Sequence, residues 1–182
     1  MRTVFKWYLN KLHTRPLPTV CLSSFFIHSV GDVLGQYLEQ AVAVLDKQRI
    51  FFQASYGAFY AAPASHLWIR WINKRMPSRS FMTVFTKAAF SQLTYGPFII
   101  ASYLFLIAAA NERSVTRGVV VMKERFVQTA MANFFVWTAF QTVNFWLVPA
   151  HFQVLYVSCV SVFWAAYMSY TRAVASKATR TR

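Results

Sequence analysis

Acidic side chains are scarce in this sequence: five Asp and Glu stand among 182 residues, against 19 Lys and Arg, and none precedes Asp32. Charge of either sign is thin, at 13% of residues, where soluble domains carry about 25%. With 57% hydrophobic residues, a soluble chain of this length could not hide its apolar surface in one core. A bilayer is the more natural solvent. Cysteine is also rare. Cys21 and Cys159 are too few for a disulfide framework and too far apart for a metal motif, so both read as small buried side chains. The five glycines form no phosphate-binding loop, and neither a zinc-protease motif nor a nucleophile elbow occurs. The four histidines, His13, His28, His66 and His151, fall in different segments. These absences predict no enzyme, no catalytic residue, no cofactor and no metal.

The sequence does hold apolar runs with basic ends. A net charge of +14 first suggests nucleic acid, but the basic residues sit in short clusters between apolar stretches, which excludes that partner. Such clusters anchor helix ends at lipid headgroups. At the start, Val4, Phe5, Tyr8, Leu9 and Leu12 recur at helical spacing among Arg2, Lys6 and Lys11. Residues 1–17 therefore read as a basic amphipathic helix, ended by Pro16–Leu17–Pro18. An acid-free, basic, amphipathic start is also the pattern of a mitochondrial import signal; a plain membrane-surface helix remains the alternative. A secretory signal is excluded because the next apolar run carries His28 and Asp32.

Crossing a bilayer takes about 20 apolar residues. Candidate spans lie at about 19–38, 50–69, 88–110, 126–147 and 152–170, followed by a basic tail, 171–182. The whole chain, 1–182, reads as one all-α membrane domain, a polytopic helical bundle. With five crossings the basic residues divide almost evenly between the two sides. With four, both termini share a side that carries about twice as many as the other, so the positive-inside rule favours four and leaves five as the alternative.

An ionisable residue inside a span is by default a functional hypothesis. Ser24, His28, Asp32 and Gln36 follow at steps of four, along one helix face, and Gly31 and Gly35 beside them allow close helix packing. Asn133, Gln141 and Asn144 share a face near Trp137, while Ser91, Tyr95 and Ser102 share one in the third span, with Gln92 added. Ala54, Ala58 and Ala62 make a small-residue ridge in the second. Two readings follow. The sharper one is an aqueous path lined by His28, Asp32, Gln36, Gln92, Gln141 and Asn144, with Asp32 setting charge preference. The plainer one is hydrogen bonding between helices, with Asp32 paired to an Arg from a loop.

The stretch VWTAFQTVNFWLVPAHF, Val136 to Phe152, followed by Trp164 and Tyr167–Met168–Ser169, resembles the C-terminal signature of the Mpv-seventeen and 22-kDa peroxisomal membrane protein family. Trp137, Gln141, Asn144, Phe145, Val148, Pro149, Trp164 and Ser169 occupy its places. The N-terminal half is similar through Trp7–Tyr8, Leu12, Pro16, Gly31–Asp32 and Gln36. Further on, Asp46 with Arg49, Pro63 with His66 and Trp68, and Gln92 with Pro97 also match, so the likeness covers about residues 4–170. Four positions depart: Ser91 replaces an Asp, Thr138 a Pro, Gln153 an Arg and Ala165 an Asn. The resemblance implies a multi-pass protein of the inner mitochondrial or the peroxisomal membrane that acts as a small channel or metabolite conduit. The departures imply a less polar interior and a straighter fourth helix. The acid-free start tilts the location toward the mitochondrial inner membrane. The bilayer is the partner expected, with a homo-oligomer or a larger inner-membrane assembly left open. A non-catalytic structural subunit of such an assembly is the alternative function.

Overall fold

The computed structural model describes residues 2–38 and 45–164, and every element among them is helical. The end of the fifth apolar stretch, the basic tail and Ala165 lie outside the described residues.

Helix α1 (Arg2–Thr14) is followed after one bent residue by α2 (Pro16–Leu38). Pro16 and Pro18 thus open α2 as well as closing α1, because a missing N–H costs nothing in a first turn. Thr19 braces the junction, its hydroxyl donating to Arg15 O at 2.7 Å and Lys11 O at 3.2 Å, beside the backbone N–H groups those carbonyls already accept. Tyr8 and Ser23 hydroxyls meet at 2.9 Å and dock α1 on α2. Leu12 is buried with Val20, Ile72, Val84, Phe145 and Val154, so α1 joins the core at one end of the bundle.

Helix α3 (Lys47–Tyr56) passes through a π-helical turn, Gly57–Ala61, into α4 (Ala62–Arg75). Pro63 explains the turn: it lacks an N–H, and its ring would press on the carbonyl four residues back, so the widened turn absorbs the misfit. The alanine ridge Ala54, Ala58 and Ala62 is fully buried. Helix α5 (Phe81–Asn111) starts on a Ser80 cap and is about 46 Å long at 1.5 Å per residue. Arg113, with φ 49°, turns the chain, and Ser114 N–H closes back on Ala109 O at 3.1 Å, a Schellman motif. Arg117 Nε pairs with Glu112 Oε2 at 2.7 Å across it. Helix α6 (Val115–Leu147) then packs along α5 and stays unbroken through Thr138. After Pro149 a 3-10 turn, Ala150–Phe152, leads into α7, residues 153–164.

Polarity is inverted relative to a soluble fold. On α2, Leu22, Phe26, Val30 and Leu34 face outward at steps of four, while Ser24, Asp32 and Gln36 are buried. On α6, Val127, Met131 and Phe135 face out, while Thr129, Asn133, Gln141 and Asn144 face in. Water would penalise both choices, whereas lipid favours both. By length and hydropathy alone, two helices of the described residues, Pro16–Tyr37 and Phe81–Asn111, suffice to cross a membrane. The other two expected crossings are less apolar overall: 50–69 is embedded in α3 and α4 between Lys47, Arg49 and Arg70, Lys74, Arg75, and 126–147 carries the Gln and Asn face. Cys21 is half-buried and Cys159 exposed on the outer side of α7, a lipid-compatible position for a thiol rather than the buried one expected for both.

Candidate functional site

The Ser24–His28–Asp32–Gln36 stripe serves three different ends. Ser24 Oγ meets Ser158 Oγ at 2.7 Å and ties α2 to α7. Further along the same pair of helices α7 packs on Gly31, with the Val162 α-carbon 3.4 Å from where a Cβ would stand, an ordinary contact distance. His28 Nδ1 lies 2.8 Å from Ser24 O; a carbonyl only accepts, so Nδ1 carries a proton and Nε2 is the acceptor of the neutral ring. Asp32 and Gln36 form a clamp on α3. Arg49 Nε donates to Asp32 Oδ1 at 2.9 Å and Gln36 Nε2 to Asp32 Oδ2 at 2.8 Å. Gln36 also pairs both ways with the Asp46 backbone, at 2.8 and 3.1 Å, while the Asp46 carboxylate caps α3 on Arg49 N–H. The partner of Asp32 is therefore a first-turn helical arginine rather than a loop residue.

Between α2, α3–α4, α5, α6 and α7 lies a cavity of about 140 Å³, large against the roughly 10–15 Å³ that one ordered water needs. Of the six residues expected to line a path, His28, Gln92 and Gln141 are on its walls; Asp32, Gln36 and Asn144 are not. Asn133 Nδ2 donates to Gln92 Oε1 at 2.7 Å across α5 and α6. Gln53 Nε2 donates to Tyr103 OH at 2.9 Å, and Ser65 meets Tyr95 OH at 3.0 Å. Trp68 stacks on Tyr95 with ring centres 5.2 Å apart, its Nε1 donating to Ser91 Oγ at 3.0 Å, so the serine that stands in place of an acid holds a wall in position. The Nε1 of Trp137, a residue only 9% exposed, has no hydrogen-bond partner among the described residues. No Asp, Glu, Lys or Arg among the described residues lines this space.

Below the cavity is a second polar cluster that the sequence hides. Lys87, which reads from sequence as a loop cation, is in the second turn of α5 and buried. Its Nζ donates to Asn73 Oδ1 at 3.3 Å and lies 5.7 Å from the Phe145 ring centre. Asn73 Nδ2 donates to Gln153 Oε1 at 2.7 Å, and Gln153 Nε2 to Asn144 O and Val148 O at 3.3 and 3.2 Å. Asn144, fully buried, donates to Gln141 Oε1 at 3.0 Å. Only the apolar neighbours of position 87 on its helix, Val84 and Ala88, could have signalled its burial.

An all-helical bundle with an apolar exterior, and with hydrogen-bonded amides and hydroxyls around an interior cavity, defines a membrane protein. The chain belongs to the Mpv17 / PMP22 family, whose sequence pattern matches residues 108–169. It is 30% identical to Protein SYM1 of Eremothecium gossypii over 97% of this chain and all of that one. It is 28% identical to PXMP2/4 family protein 2 of Dictyostelium discoideum, over 93% of this chain and 91% of that protein. To the mitochondrial inner membrane protein Mpv17 of Bos taurus it is 25% identical, over 92% and 96%. No solved structure matches. The chain is accordingly a protein of the mitochondrial inner membrane.

Proposed function

We propose that the protein is a small-solute conduit of the mitochondrial inner membrane, working through the cavity between its helices. Four crossings carry it: α2, α3–α4, α5 and the uncharged part of α6, with α7 packed as a partial element. What supports this reading is one arrangement, namely amides and hydroxyls converging on a cavity inside a bundle whose outer face is apolar. Polar groups at such a depth are costly unless paired or facing water. His28, Gln92 and Gln141 present polar atoms to a passing solute, Asp32 and Gln36 hold α2 against α3, and Asn144 braces the floor. Because Asp32 is already matched by Arg49, the path favours neutral solutes over ions.

The test is solute efflux from liposomes containing the purified protein, comparing glycerol and urea with potassium and chloride. Faster efflux of the neutral solutes, slowed by Gln92→Leu with Gln141→Leu, is the expected result. Permeability equal to that of empty liposomes sinks the reading. The other candidate, a structural subunit of a larger assembly, draws support from the exposed Phe59, Phe135 and Phe163. Co-migration with a large complex in native electrophoresis, without any solute efflux, would establish it instead.

A further inference from the structure

The described walls of the cavity are flat and uncharged, and at least one of their donors is unmet. We infer that it binds a small neutral molecule built on a planar ring and bearing a carbonyl-type acceptor, which takes the Trp137 indole N–H. The inference deepens the conduit reading and rests on the cavity being the working site.

The excluded classes follow from charge. An anion placed among Gln53, Gln92, Asn133 and Gln141 meets dipoles but no counter-charge among the described residues, and so does a cation. Either one loses its hydration in a low-dielectric interior with no ion pair to offset the loss. A neutral solute avoids that loss. The required shape follows from the walls, to which Tyr56, Trp68, Tyr95, Tyr103, Trp137 and Trp164 all contribute aromatic rings. Trp68 and Tyr95 stack on each other, and rings set together in this way pack a further planar ring at their edges or in offset contact. Orientation comes from Trp137. An indole nitrogen can only donate, its residue is nine-tenths buried and on the cavity wall, and no protein acceptor among the described residues meets it. A carboxamide or ring carbonyl supplies that acceptor, and amide side chains opposite can answer a carboxamide N–H.

Four probes of nearly equal size separate the requirements: benzamide (neutral, planar), benzoate (anion), benzamidinium (cation) and cyclohexanecarboxamide (neutral, not planar). Equilibrium dialysis against the full-length protein in nanodiscs, corrected by protein-free nanodiscs, gives each affinity. Benzamide is expected to bind saturably and at least tenfold more tightly than the other three. Trp137→Phe, which keeps an aromatic ring and removes the N–H, is expected to weaken benzamide about fivefold to tenfold. Gln92→Leu, at a second wall, is expected to weaken it without changing the charge preference. Benzoate or benzamidinium binding as tightly as benzamide overturns the inference, as does an unchanged benzamide affinity in correctly folded Trp137→Phe. Saturable benzamide binding by a protein that releases no solute from liposomes upholds the site and removes the conduit. Solute release with no benzamide preference does the reverse.

Discussion

The His28 imidazole on α2 lies directly over the α-carbon of Gly57, at the first residue of the π-helical turn; a methyl group added there would sit 2.5 Å from its Cγ and its Nδ1. No side chain larger than hydrogen fits between them. Gly57→Ala therefore forces the ring or the turn to move and should destabilise the protein by about 1–3 kcal/mol. Thermal unfolding in detergent checks this. His28→Ala opens the space, so the double variant should regain much of the loss, and equal destabilisation with or without the histidine would refute direct contact.

Asp32 and Arg49 form a second dependency. Removing one partner of a buried pair strands the other, at a cost of about 3–5 kcal/mol when both are fully buried. Arg49→Ala leaves the buried Asp32 carboxylate without this cation and should cost roughly 2–3 kcal/mol, given that the Arg49 side chain is 17% exposed; Asp32→Asn, which keeps the side-chain shape, should cost less. Combined, they should cost less than their sum. Strict additivity in unfolding measurements would mean that the clamp does not act as a pair.

Lys87 provides a test of the opposite sign. A buried ammonium with one 3.3 Å hydrogen bond to Asn73 is expensive to keep out of water. Lys87→Met preserves the volume and removes the charge, and should be neutral or stabilising. Asn73→Leu leaves the ammonium unmatched and should lose about 1–3 kcal/mol. The pair of variants together should recover most of that loss, as read by midpoint unfolding temperature.

His13 and His151 stand with ring centres 4.4 Å apart where α1 meets the turn before α7, outside the crossings. Desolvation, followed by the neighbouring His13, lowers the His151 pKa below its ordinary 6.5. A lowered histidine pKa means that the unfolded chain binds the proton more readily. The stabilisation is thus complete above about pH 6.5 and declines as pH falls below that value. Protection factors of the α1 amides, with the base-catalysed intrinsic rate divided out, should fall between pH 7.5 and 5.5, and His151→Gln should flatten the response. An unchanged pH dependence in that variant would exclude this contact as the cause.

Much of the architecture can be read in the chain because lipid reverses the usual rule and leaves its trace in spacing. Ser24, His28, Asp32 and Gln36 announce an inward face, as do Asn133, Gln141 and Asn144; His28, Asn133 and Gln141 line the cavity, and the rest are buried between helices. Which neighbour each one meets cannot be read, because periodicity gives direction along one helix and says nothing about the helix opposite. That is why Asp32, apparently a pore residue, is held by Arg49 from the next helix, and why Lys87 reads as a loop cation. Nor does spacing reveal that Trp137 lacks an acceptor; that depends on five helices at once.

The π-helical turn has a genetic consequence. It holds more residues than an α-helical turn would need, and each residue in a helix is worth about 100° of rotation. Deleting a single codon within Gly57–Ala61 would remove that surplus residue and leave everything after the turn on nearly its present bearing. Ser65, Trp68 and Ile69 would go on facing the cavity. The same deletion in the α-helical stretch on either side would turn that face by about 100° toward lipid, so this turn is where the rod best tolerates the loss of one residue.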